Sequence, residues 1–75
     1  MTPEFILFQA LHHASPRRRS TFYRTRSGDE AIKLRAALRL AARKIGWRNV
    51  YLGLSVPPDS VPGIYVEIGV NCGPI

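Results

Sequence analysis

Two histidines and a run of arginines are the first residues whose types suit chemistry: His12 and His13 lie just ahead of Arg17, Arg18 and Arg19. A histidine takes or gives a proton near neutral pH and an arginine holds a phosphate oxygen, so together they would suit metal-free phosphodiester cleavage. The surrounding pattern predicts a strand, however, and adjacent residues on a strand point to opposite faces, so the two imidazoles would not serve one site. The other reactive groups are scattered. Glu4, Asp29, Glu30, Asp59, Glu67 and Cys72 have no recognised metal-ligand spacing, and Ser15, Ser20 and Ser55 lie in no nucleophile elbow. The acids of "GDEA" belong to a helix start, where they would repel an anion rather than cradle it. The sequence therefore predicts a binding protein rather than an enzyme, with no cofactor and no metal.

Charge is the more informative signal. The stretch "SPRRRSTFYRTRS", residues 15–27, carries five arginines and two aromatic rings without an acid. All 11 basic residues fall between Arg17 and Arg48, where Asp29 and Glu30 are the only acids, and the chain carries a net charge of +6. Such segregation predicts one electropositive surface that concentrates a polyanion. Nine of the basic residues are arginine, whose planar fork matches phosphates and stacks on rings. The candidate contacts are Arg17, Arg18 and Arg19 on a loop, Phe22, Tyr23, Arg24 and Arg26 on the following strand, and Arg35, Arg39 and Arg43 as a ridge along a helix. Together they resemble a phosphate-tracking surface with optional base stacking. Nucleic acid or a nucleoprotein complex is the predicted partner, and an acidic protein surface would satisfy the same side chains. No helix-turn-helix, zinc-finger, KH or RRM signature is present to set a groove or a base preference.

The elements that would position these residues follow from hydrophobic period. Glu4 to His13 reads as a strand, because "FILF" is apolar on both parities and suits a sheet interior. "ASPRRRS" then reads as a hairpin loop and Thr21 to Arg26 as a second strand, with Phe22, Arg24 and Arg26 on one face and Thr21, Tyr23 and Thr25 on the other. Ser27 followed by Glu30 is a capping box that opens a helix. Ala31, Leu34, Leu38, Ala41, Ala42 and Ile45 form its apolar face, Gly46 stops it, and Trp47 folds back on the last turn. "NVYLGLSV" and "IYVEIGV" alternate cleanly, joined by the shaped loop "PPDSVPG", and "NCGPI" reads as irregular. The predicted architecture is α+β: a small ββαββ domain spanning 1–75, a four-stranded, mainly antiparallel sheet with one helix packed on one face.

One helix leaves the other sheet face bare. Some of Phe5, Ile6, Leu7, Phe8, Tyr51 and Tyr65 would then be exposed, or covered by a partner or by a second copy in a homodimer. Cys72 is the only cysteine, so no intrachain disulfide forms and an intracellular, cytoplasmic setting is predicted. Phe5 to Ala14 is too short and too interrupted to be a signal peptide or a membrane span. In size, charge patch and inferred ββαββ order the chain is similar in layout to phage- or plasmid-encoded inhibitors, including some anti-CRISPR proteins. That likeness implies docking on a host nucleoprotein machine through protein contacts.

Overall fold

The computed structural model describes residues 2–15 and 17–70. It is an α+β arrangement of α1 (Pro3–His13), β1 (Ser20–Thr25), α2 (Gly28–Lys44), β2 (Val50–Ser55) and β3 (Ile64–Val70). Among the described residues there are thus two helices and three strands, where one helix and four strands were expected. The order is αβαββ, not ββαββ. The predicted irregular tail, with Cys72, lies outside the described residues.

The first element is where the expectation fails. Thr2 caps α1, its hydroxyl accepting from the Phe5 amide at 3.2 Å, and Pro3 stands in the first turn, where its missing N–H costs nothing. Glu4 in the first turn favours the helix dipole, and Leu, Gln and Ala, good helix formers, follow. Ile6, Leu7 and Ala10 form the buried stripe, while Phe5, Phe8 and Leu11 are exposed. "FILF" is apolar on both parities because the helix carries apolar residues on its solvent side too, not because it lies inside a sheet.

Around α2 the expected start and stop are present, and of the expected apolar face Ile45 alone is exposed. The Ser27 hydroxyl accepts from the Glu30 amide at 3.2 Å. Ala31, Leu38, Ala41 and Ala42 are buried, Leu34 is half-buried, and Ile45 is exposed. At the far end the Trp47 amide donates to the Ala42 carbonyl (2.9 Å) and the Gly46 amide to that of Arg43 (3.2 Å), with Gly46 at φ 77. This is a Schellman cap, and half-buried Trp47 packs on the core beside it.

The sheet order is β1-β3-β2, with β3 antiparallel to both neighbours. Tyr23, Val66 and Leu54 share one row of the register and Thr21, Ile68 and Leu52 another, all on the face that meets the helices. Both helices pack on that face and on each other, and the core joins Ile6, Leu7 and Leu38 to Leu52, Val66 and Ile68. Neither helix covers the opposite face, which is open about Phe22 and Tyr51; at its far end the β2–β3 loop closes over it, the Tyr65 hydroxyl donating to the Val61 carbonyl. The rows of this face are Ser20, Gly69, Tyr51; Phe22, Glu67, Gly53; and Arg24, Tyr65, Ser55. Of the residues expected to be exposed on a bare sheet face, Tyr51 is 60% exposed there, whereas Tyr65 lies on that face but is buried at 8%. Phe5 and Phe8 are exposed on α1 instead, and Ile6 and Leu7 are core.

Candidate nucleic-acid interface

Connectivity decides where the arginines go. β1 and β2 both run against β3, so their starts lie together at one end of the sheet with the end of β3. α2 returns from the end of β1 to the start of β2, so its last turn arrives at that same end. Arg17, Arg18 and Arg19 lead into β1 there, Arg43 and Lys44 occupy the last turn of α2, and Arg48 precedes β2. The other end holds Asp29 and Glu30 in the first turn of α2, Asp59 in the β2–β3 loop, and Arg24 and Arg26 about the end of β1. Five acids against 11 bases leave the chain a net charge of +6.

The loop that carries the arginine run is fastened at both ends. Ser15 and Arg18 exchange backbone hydrogen bonds of 2.7 and 3.1 Å, the Arg18 amide also reaches Ser15 Oγ (3.0 Å), and the Val70 amide donates to the Arg19 carbonyl (2.7 Å). Arg17, Arg18 and Arg19 are nonetheless exposed. The backbone is held while the guanidinium groups face solvent, which lowers the ordering cost of gripping an anion. "ASPRRRS" thus connects α1 to β1; it is not a hairpin loop between two strands.

Three shallow clefts group the predicted residues. Arg18 and His13 line one with Ser20, Thr21 and Phe22, so a charge and a ring share a cleft at the start of β1. Arg39 and Arg43 line another of about 530 Å³ with Arg48, Trp47 and Val50. Arg24 and Arg26 line a third with Glu30 and Gly63 at the opposite end of the sheet. There the Arg24 guanidinium is tied down, donating from Nε (3.3 Å) and Nη2 (3.0 Å) to the Pro62 carbonyl. Arg35 lies half-exposed two helical turns from Arg43 and belongs to neither arginine cleft.

Phe22 is exposed on the open face, whereas Tyr23 is half-buried on the helix side and packs against the core. Arg26 lies beyond the end of β1 and does not continue the Phe22 and Arg24 face as a strand residue. Arg48 and Trp47 are additions. Their signal was the glycine stop: a chain that reverses through Gly46 brings the next residues back beside the final turn. His12 and His13 end α1 rather than a strand; their rings meet edge to face at 5.5 Å and both are exposed. Among the described residues no group of three His, Cys, Asp or Glu side chains stands ready to hold a metal ion, and no helix is long and apolar enough to cross a membrane. No protein-family profile, curated protein or solved structure matches the chain.

Proposed function

We propose that this protein binds nucleic acid, without catalysis, through the arginine-bearing end of its sheet. The observation that carries this reading is the convergence of Arg17, Arg18, Arg19, Arg43, Lys44 and Arg48 at one end of the sheet, in a chain of net charge +6. A polyanion meeting several of these side chains releases counterions, and that release drives association. The lone thiol of Cys72 suits an intracellular setting. Titrating labelled single and double strands across a salt series, with wild type and an Arg17/Arg18/Arg19→Ala variant, tests the proposal. Steeply salt-dependent binding that the variant loses supports it, and no binding at low salt overturns it.

A second reading rests on a different feature. α1 turns Phe5, Phe8 and Leu11 outward, a stripe that suits docking on protein, as an inhibitor of a nucleoprotein machine would do. The αβαββ order removes the topological part of the likeness to such inhibitors. This alternative, which extends to acidic protein surfaces, requires that Phe5→Glu and Phe8→Glu abolish docking on the machine while affinity for free nucleic acid is negligible throughout.

A further inference from the structure

We infer that the open face of the sheet is a stacking platform for unpaired bases of a single strand, with Glu67 reading a base edge. This rests on the nucleic-acid reading above and adds the strand form and the seat of the bases. Its starting point is an acid where a phosphate would be repelled. Glu67 lies on the central strand, half-buried, and Oε2 accepts from Ser20 Oγ at 3.0 Å. A carboxylate accepts at about four lone-pair positions, so one hydroxyl leaves capacity over. A phosphate laid across this face would meet that charge unfavourably, whereas a base edge bearing N–H donors would be drawn to it.

Rings flank the carboxylate in its own row. On one side its register partner is Phe22, 40% exposed. On the other its partner is Gly53, and the ring of Tyr51 is laid down over that glycine: a Cβ there would meet Tyr51 Oη at 2.6 Å and Cε2 and Cζ at 2.9 Å. Gly69 likewise clears room for the root of the same side chain, where a Cβ would lie 3.2 Å from Tyr51 Cβ. Tyr51 remains 60% exposed. Ring, carboxylate and ring therefore follow one another across about 10 Å, two strand spacings. Arg18 stands at the rim in the same cleft as Phe22, so a strand whose phosphate meets Arg18 brings its bases onto the rings.

Stacking on exposed rings tolerates any base, but the carboxylate does not. Guanine offers N1–H and N2–H side by side, a bidentate match. Adenine and cytosine offer one amino group, and thymine or uracil a single N–H between two carbonyls that a carboxylate repels. A duplex presents neither an open base face nor a free Watson–Crick edge.

The test uses a short oligothymidylate, the same strand with one central guanine, and the corresponding duplex, titrated against the full chain. The guanine should tighten binding about tenfold, and the duplex should bind more weakly than either single strand. Phe22→Ala and Tyr51→Ala should each weaken both single strands about tenfold, while Tyr51→Phe retains binding. Glu67→Gln should remove the guanine preference and leave oligothymidylate bound. If Arg17/Arg18/Arg19→Ala abolishes binding but Phe22→Ala and Tyr51→Ala bind as wild type does, the platform is overturned and the phosphate interface stands. If wild type binds no strand at low salt, both fail. A dimer in sedimentation that Tyr51→Ala turns into monomer, with strand binding unaltered, would assign the face to a second copy and overturn the platform.

Discussion

Tyr51 Oη lies 2.6 Å from the point where a Cβ at Gly53 would stand, closer than any side chain at residue 53 could tolerate without the ring moving. The ring is the movable partner, because its hydroxyl end is free to swing outward. Gly53 is not in the left-handed region, so the backbone accepts alanine there. Gly53→Ala should therefore change unfolding free energy by less than about 1 kcal/mol in a urea titration. The same variant should weaken single-strand binding about as much as Tyr51→Ala does, about tenfold. Unchanged binding with a displaced ring would separate Tyr51 from the interface.

The burial pattern of α1 separates the helix from the expected strand. Apolar residues at every position of "FILF" suit a sheet interior, but the residues that start the helix, Thr2 and Pro3, stand ahead of that run. A strand would put Ile6 and Phe8 on one face with similar costs. The helix buries Ile6 and Leu7 but exposes Phe8 at 55%. Leu7→Ala should cost about 3 kcal/mol, and Phe8→Ala less than about 1 kcal/mol, since solvent already surrounds much of that ring. Equal losses from Ile6→Ala and Phe8→Ala in urea unfolding would restore the strand.

The end of α2, by contrast, was legible residue by residue, because each step there is local. Gly46 takes φ 77, and an added Cβ would meet nothing within 4 Å. The cost of Gly46→Ala is then backbone strain alone, about 1–2 kcal/mol. Gly28 opens the same helix without positive φ, and its added Cβ would make an ordinary 3.6 Å contact with Ile64 Cδ1. Gly28→Ala should be neutral or slightly stabilising by the same unfolding assay.

Which arginines share a cleft was not legible, since that depends on the β1-β3-β2 order. The sequence spacing placed Arg24 and Arg26 with the arginine run, but β1 carries them to the opposite end of the sheet, beside Glu30. Arg48, outside the initial set, joins Arg39 and Arg43 instead. Arg43→Gln with Arg48→Gln should therefore lower the slope of log affinity against log salt by about 0.7 for each phosphate contact removed from a single strand. Arg24→Gln should lower it less, its guanidinium being held by the Pro62 carbonyl. Equal slopes for the two sets would mean that the whole length of the sheet meets phosphate, not one end.

Two hydroxyls on β1 and β2 set a final contrast. Thr25 is buried and donates to the Ile64 carbonyl across the sheet. Ser55 Oγ is buried with no hydrogen-bond partner among the described residues. A satisfied buried hydroxyl contributes about 1 kcal/mol, whereas an orphaned one carries its desolvation penalty with nothing in return. Thr25→Val should thus destabilise by about 1 kcal/mol. Ser55→Ala should stabilise by a similar amount and raise Tm by about 4–8 °C. Ser55 shares its row with Arg24 and Tyr65, where the β2–β3 loop covers the sheet, one row beyond Phe22 and Gly53. The Ser55→Ala gain should consequently leave single-strand affinity unchanged, and a fall in affinity would extend the platform to that row.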